Sequence, residues 1–132
     1  MDPYLGGSFL VYSFIHKKEH FCRAVLEGVA FSIKDCSSIF EELGLKLDDL
    51  KDDLRIIGGG SKSKLWRQMI ANVFNKRLLK PVSGDASLGS ALLAGVGIGI
   101  FKNLKEAVES NVKIENITTP NFSSYETYNK FF

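Results

Sequence analysis

The chain has 132 residues, of which 45% are hydrophobic and 24% are charged, as in an ordinary globular domain or part of one. Its formal net charge is only +2, and the lysines are scattered rather than gathered into a basic block. Such a charge balance does not favour binding to nucleic acid or to an anionic membrane surface. We therefore expect neither a nucleic-acid partner nor a membrane partner.

The apolar stretches and the cysteines favour a cytoplasmic protein. The uncharged stretch 88–101 is shorter than the roughly 20 residues that a membrane-spanning helix needs, and we expect a buried helix there. The N-terminus has no basic region followed by a hydrophobic signal segment. Cys22 and Cys36 fall in one predicted helix, too far apart to bridge, which favours two reduced thiols packed as small hydrophobic side chains. No cysteine–histidine spacing indicates a metal site, and we expect no metal ligands in this chain.

The N-terminal part of the chain predicts a strand and then a long helix. Residues 8–14 are rich in aromatic and β-branched side chains, which favours a strand. Over 18–43 apolar residues recur at helical spacing, and Gly44 supplies the stop. Arg23 and Glu27 lie one turn apart and are expected to pair. The predicted buried face consists of Phe21, Val25, Val29, Ser32, Cys36, Ile39 and Leu43.

The middle of the chain predicts a second helix between two short strands. Residues 54–57 and 78–82 favour the strands. The helix is expected to begin near Lys62 or Ser63, with Ser61 as its N-cap. Its predicted buried stripe consists of Trp66, Met69, Ile70 and Val73.

The last third of the chain predicts further helices. One is expected from about Ala86 and a short one over 105–109. Residues 111–124 have turn and extended character, and 125–132 favour a terminal helix. Strands and helices therefore alternate along the chain, which predicts an α/β layered fold.

Three consecutive glycines, Gly58, Gly59 and Gly60, lie between the strand at 54–57 and the helix that follows. Glycine has no Cβ, so such a turn adopts positive φ and lets a ligand approach the backbone closely. The helix behind the turn presents free N–H groups. Taken alone, the pattern fits a nucleotide-contacting turn and a plain strand-to-helix turn about equally well.

Two further blocks accompany the glycine turn. Residues 21–30 (FCRAVLEGVA) precede it and residues 86–95 (ASLGSALLAG) follow it, while the turn block itself continues to residue 69. In this order, the three blocks resemble the C-terminal domain of FGGY-family carbohydrate kinases over nearly the whole chain. The family pattern has a glycine where this chain has Val11, which indicates a local packing change.

The resemblance implies an actin-like ATPase, or ribonuclease H-like, α/β fold. Residues 1–132 would be the C-terminal domain of a sugar kinase, incomplete at its N-terminal side and without the N-terminal sugar-binding domain. The implied cofactors are ATP and Mg²⁺, with the metal ligands outside this chain. Gly58, Gly59 and Gly60 would contact the adenosine half of ATP, and Ser63 matches the adenine-contacting position. Trp66 is either a wall of the adenine pocket or a core aromatic.

No catalytic residue is expected in this chain, because the family's catalytic aspartate lies upstream of the matched blocks. The implied reaction transfers the γ-phosphate of ATP to D-xylulose, and gluconate, ribulose or glycerol kinase is the alternative. The expected partners are ATP or ADP, with the sugar bound mainly by the missing domain, so the chain alone should be inactive. A third hypothesis is a non-catalytic association module whose exposed sheet edge and apolar surface favour a homodimer.

Overall fold

The computed structural model describes residues 6–44 and 53–131. A single turn of 3-10 helix, Gly59–Lys62, connects the first strand to the second helix. The mixture of helices and strands confirms the α/β class. In these two ranges the elements are α1 (Lys18–Glu42), β1 (Leu54–Arg55), α2 (Lys64–Phe74), β2 (Leu78–Pro81), α3 (Ala86–Gly97), α4 (Leu104–Asn111), β3 (Ile114–Thr118) and α5 (Phe122–Asn129).

The strands form one mixed sheet in the order β1–β2–β3. β1 and β2 are parallel, with Leu54 opposite Leu78, whereas β2 and β3 are antiparallel with an irregularity after Lys80. Because parallel neighbours need a crossover connection, the chain passes from β1 through the 3-10 turn and α2 before it enters β2. The carboxyl ends of β1 and β2 therefore lie side by side at one edge of the sheet.

Helix α2 occupies the centre of the core. Its apolar face packs against α1, α5 and β2, and side chains from these elements form one cluster: Ala30, Met69, Ile70, Ala71, Val73, Leu78 and Tyr128. The predicted stripe on this helix is thereby confirmed, with Trp66 half-buried at its N-terminal end. Burying a large apolar side chain stabilises a fold by about 1.5–3 kcal/mol, so α2 organises the packing of the domain.

Helix α1 is present where predicted, but it buries a different face. Ala30 is fully buried against the core, and Leu26 and Phe31 are partly buried beside it. The predicted face is wrong because the packing of α2 selects the stripe that carries the small Ala30 side chain, which allows close approach of the two helices. Residues of the predicted face that are exposed instead are Val25, Val29, Cys36, Ile39 and Leu43.

Both ends of α1 are capped by neighbouring residues. The Nδ1 atom of His20 accepts a hydrogen bond from the backbone N–H of Lys17 at 2.9 Å, which satisfies one donor at the start of the helix. Gly44 has a φ of 81°, the left-handed conformation that ends a helix, as predicted.

Residues 8–14 do not form the predicted strand. Val11 has a φ of 58°, in the left-handed region that β-branched residues avoid, and this interrupts an extended backbone. The aromatic side chains instead pack on the start of α1, where the ring centroids of Phe9 and Phe21 are 5.1 Å apart. A glycine at position 11, as in the resembled pattern, would adopt the same φ without strain, so Val11 is a conformational departure.

From residue 111 onward, the chain agrees with the prediction except at the start of the last helix. The extended part of the segment 111–124 forms a regular strand, β3, which agrees with the expected turn and extended character. Helix α5 begins at Phe122 rather than near Tyr125, because the Asn121 side chain caps it by accepting a hydrogen bond from the N–H of Ser124 at 3.2 Å.

Helices α3 and α4 pack against each other and bury Leu92 and Ala107. Leu93 and Ile98 remain 60% and 76% exposed, so the expectation of a buried helix over 88–101 is wrong for one face of α3. No helix among the described residues is long and apolar enough to span a bilayer.

The two cysteines, Cys22 and Cys36, are free and exposed. The expectation that they pack as small hydrophobic side chains is therefore wrong. The reason is again the choice of face on α1, since Cys36 belongs to the stripe that does not meet the core.

A hydrogen-bonded cluster of Arg23, Glu27 and Tyr128 links α1 to α5. The predicted pair is present, with Arg23 Nε donating to Glu27 Oε1 at 2.8 Å. The Tyr128 hydroxyl donates to the same oxygen at 2.8 Å and accepts from Arg23 Nη2 at 3.2 Å. Burial, and then the hydrogen bond to Glu27, raises the pKa of Tyr128 above its ordinary value, although Arg23 opposes the shift.

Replacing Tyr128 with Phe should lower the free energy of unfolding by about 1 kcal/mol at neutral pH, because both hydroxyl hydrogen bonds are lost. The folded-state pKa lies above the unfolded one, so the hydroxyl stabilises the fold below about pH 10 and this stabilisation is lost as the pH rises through the folded-state pKa. The variant should therefore lose less stability than the wild type at alkaline pH, as measured by urea unfolding. Tyr125→Phe on the same helix is the control, and equal pH dependence of Tyr128→Phe and wild type would contradict the role of this hydroxyl.

Candidate functional site

The three glycines form the turn that follows β1. Gly58 has a φ of 81° and a ψ of −172°, a region that essentially only glycine occupies. Its carbonyl oxygen accepts from the N–H of Ser61 at 3.2 Å and from the Ser61 hydroxyl at 2.7 Å. These two bonds close the 3-10 turn, in which Ser61 is buried.

Gly60 and Gly59 differ in what surrounds them. A Cβ on Gly60 would lie 2.9 Å from Nε1 of Trp66, so the packed indole requires glycine there. Gly59 has no positive φ, and a Cβ on it would meet no atom within 4 Å. The backbone N–H groups of Gly59 and Gly60 make no hydrogen bond to another described residue. Position 59 is thus the point of the turn that is open to a ligand.

Ser63, and not Ser61, is the N-cap of α2. The Ser63 hydroxyl accepts a hydrogen bond from the N–H of Trp66 at 3.2 Å, and the helix begins at Lys64. The prediction of Ser61 as N-cap was wrong because its hydroxyl is used within the turn. Ser63, predicted to contact adenine, therefore has its hydroxyl engaged in the cap.

Gly58 and Gly59 line a cleft of about 420 Å³ at the carboxyl ends of β1 and β2. The glycine turn forms one wall and the segment 80–85 forms the other. A Cβ on Gly84 would lie 2.8 Å from Cγ2 of Ile57, so the two walls are in contact at these residues. In open α/β sheets, ligands bind at this edge, where parallel strands end.

Two lysines, Lys62 and Lys80, and one carboxylate, that of Asp85, line the cleft. Lys80 is already paired, since its Nζ lies 2.6 Å from Oε2 of Glu115. Lys62 forms no ion pair with another described residue. Asp85 occupies the N-cap position of α3 without a side-chain cap bond, so the start of that helix lies next to the cleft. The positive end of a helix and a nearby lysine both attract negative charge.

The sequence did not identify residues 82–85 as a wall of the cleft. Trp66, in contrast, lies away from the cleft. The signal for this wall is the strand at 78–82, which as a parallel neighbour of β1 must end at the same sheet edge. Trp66 borders a separate apolar groove beside β1. Gly60 and Ser63 do not line the cleft, so the structure brings together Gly58 and Gly59 from the predicted set.

The described residues do not fit a bound divalent metal. Within 6–44 and 53–131, no three His, Cys, Asp or Glu side chains come together as ligands. Asp85 is the sole carboxylate among the residues that line the cleft. No step of a reaction is therefore assigned to a metal held by this part of the chain.

Comparison with known proteins places these features in a family. The model of the FGGY family of carbohydrate kinases, C-terminal domain, matches residues 1–98. The xylulose kinase of Staphylococcus epidermidis is 35% identical over 133 residues, which covers 99% of this chain and 26% of the relative. A glycerol kinase of Saccharolobus islandicus is 32% identical over 124 residues, which covers 92% of this chain and 24% of the relative.

A solved structure agrees with these sequence matches. The gluconate kinase of Lactobacillus acidophilus superposes with a TM-score of 0.77 and 27% identity, covering 93% of this chain and 24% of that one. The likeness confirms the predicted actin-like fold of a sugar kinase, present here as part of a domain. The chain spans about a quarter of the length of the relatives that it matches.

Alanine at each of the three glycines should separate their roles. Gly58→Ala should lower the free energy of unfolding by about 1–3 kcal/mol through backbone strain. Gly60→Ala should cost about 1–3 kcal/mol through the clash with Trp66. Gly59→Ala should change the free energy of unfolding by less than about 0.5 kcal/mol, since the new methyl group meets open space. Urea unfolding measures all three, and a cost at Gly59 as large as that at Gly60 would show that position 59 is not open.

Proposed function

This chain belongs to the FGGY family of carbohydrate kinases, within their C-terminal domain, and we propose that it forms the adenosine-binding part of a sugar kinase. The observation that carries the proposal is Gly59, an open glycine beside a cleft at the carboxyl ends of two parallel strands. Neither a positive φ nor a close neighbouring atom requires glycine at position 59. A ligand that approaches the backbone closely would require it.

The residues of the turn fit the adenosine side of ATP. The N–H group of Gly59, which bonds to no described residue, is a donor for ribose or α-phosphate oxygens, and Gly60 lets the turn pack closely on the Trp66 indole beside it. Lys62 supplies positive charge at the same wall of the cleft. Gly58 and Ser63 complete the proposed set, Gly58 by setting the shape of the turn and Ser63 at the start of α2. When bound, ATP supplies the phosphoryl group that the reaction transfers.

We propose D-xylulose as the acceptor, with xylulose 5-phosphate as the product. The support is the xylulose kinase of Staphylococcus epidermidis, which is 35% identical over 99% of this chain. Glycerol and gluconate are the alternatives, because relatives named for those substrates match at 32% and 27% identity. The sugar-contacting residues, the catalytic residue and the Mg²⁺ ligands are proposed to lie outside this chain, in the cytoplasmic kinase of which 1–132 is a part of the C-terminal domain.

Calorimetric titration of the 132-residue chain with ATP and ADP tests the nucleotide site. We expect saturable binding, weakened at least about tenfold in Gly59→Val, because the branched side chain fills the space that the ligand needs. Thermal unfolding of the variant should match the wild type, so that a loss of affinity reports on the contact rather than on folding. Folded wild-type chain that binds neither nucleotide would contradict the proposal. Addition of xylulose and Mg²⁺ with ATP should yield no product from the chain alone.

The outer edge of β1 favours a second function, association with another copy of the chain. β1 pairs only with β2 in the sheet of the described residues, so its other edge is open. A groove of about 500 Å³ lies beside it, bordered by Ile33, Phe40 and Trp66. Phe40 is 53% exposed and Val29 on the same helix is 48% exposed. Open sheet edges and contiguous apolar surface are typical of association sites.

Light scattering after size-exclusion chromatography separates this second function from the first. If the groove holds a second copy, the wild type is a dimer and Phe40→Lys is a monomer, because a charged side chain disrupts an apolar interface. Phe122→Lys, on an exposed position of α5, should leave the dimer intact. A monomeric wild type would exclude the homodimer and leave the nucleotide site as the function of this chain.

A further inference from the structure

Arg67 is a buried arginine directly behind the glycine turn. It lies in the first turn of α2 and is only 9% exposed. Its Nη1 donates a hydrogen bond of 2.6 Å to the carbonyl oxygen of Ser61. Its Nε is buried and has no hydrogen-bond partner among the described residues. None of the ion pairs formed by these residues includes Arg67.

A buried guanidinium without a carboxylate partner is costly. Removing a charge from water is unfavourable unless the charge is paired and hydrogen-bonded, and an apolar side chain of similar volume avoids that cost. The arginine therefore needs a reason beyond core packing. The contact with Ser61 offers one, because Ser61 belongs to the turn and borders the cleft on its other side.

Three residues at the start of α2 lie against the glycine turn or join it to the helix. Ser63 caps the helix, the Trp66 indole packs on Gly60, and Arg67 holds the carbonyl of Ser61. The Arg67 contact is the one of the three in which a side chain of α2 donates a hydrogen bond to the turn. A charge-assisted hydrogen bond is roughly twice as strong as a neutral one.

We propose that Arg67 is a positioning residue for the nucleotide site, which fixes the conformation of the 3-10 turn from behind through the Ser61 carbonyl. The open wall of the cleft at Gly59 then keeps its shape without contacts on the ligand side. The claim about nucleotide affinity rests on the proposed function, whereas the claim about the shape of the turn does not.

The experiment compares Arg67→Met, Arg67→Gln and Arg67→Lys with the wild type by amide NMR and hydrogen exchange. Arg67→Met and Arg67→Gln should shift the amide signals of 59–62 and speed exchange at Ser61 by at least about tenfold, while the amides of 69–74 stay unchanged. Arg67→Lys keeps a charged donor, so its amide signals and its exchange rate at Ser61 should lie closer to those of the wild type. Arg55→Met removes an exposed arginine on β1 and is the matched control, with no change expected in the turn.

The affinity for ADP is measured on the same variants. It should fall about tenfold in Arg67→Met and stay unchanged in Arg55→Met. Unchanged turn signals in a folded Arg67→Met or Arg67→Gln would overturn the proposal, as would unfolding of both, since Arg67 would then serve the fold as a whole. If the wild type binds no ADP, the proposed function fails while the turn signals still decide the role of Arg67.

Discussion

Helix α2 packs one apolar face against α1, α5 and β2 at the same time, and this shared buried surface determines where the other elements lie. The helix is also the crossover that makes β1 and β2 parallel neighbours. Its burial therefore decides two things together, the stability of the core and the position of the sheet edge at which both strands end. On the far side of the core, α5 is fastened to α1 through Tyr128, which completes the packing around α2.

The candidate site is an extension of that helix rather than an independent loop. The start of α2 supports the glycine turn from inside the protein: Ser63 caps the helix, Trp66 packs on Gly60 and Arg67 donates to the Ser61 carbonyl. The glycine wall of the cleft is thus connected to the centre of the core by a few short contacts. A change in the packing of α2 should therefore affect the cleft through these contacts.

The sequence predicted best those features that depend on neighbours along the chain. The stripe of α2 follows from helical periodicity, and the glycine turn follows from its place between strand and helix. The buried face of α1 was mispredicted because the partner helix, and not periodicity, selects Ala30. The strand at 8–14 failed because the left-handed backbone at Val11 overrides local β-propensity. The individual role of Gly59, and the wall at 82–85, depend on three-dimensional proximity that no local pattern contains.

The contact between Gly84 and Ile57 bears on how far the cleft is preorganised. Because a Cβ on Gly84 would lie 2.8 Å from Cγ2 of Ile57, the connections that leave β1 and β2 are in close van der Waals contact. This contact is made when the chain folds and needs no ligand. Preorganisation of this kind raises affinity by removing the ordering cost from the association step. A molecule that enters such a cleft meets a shape and a distribution of charge that are set before it binds.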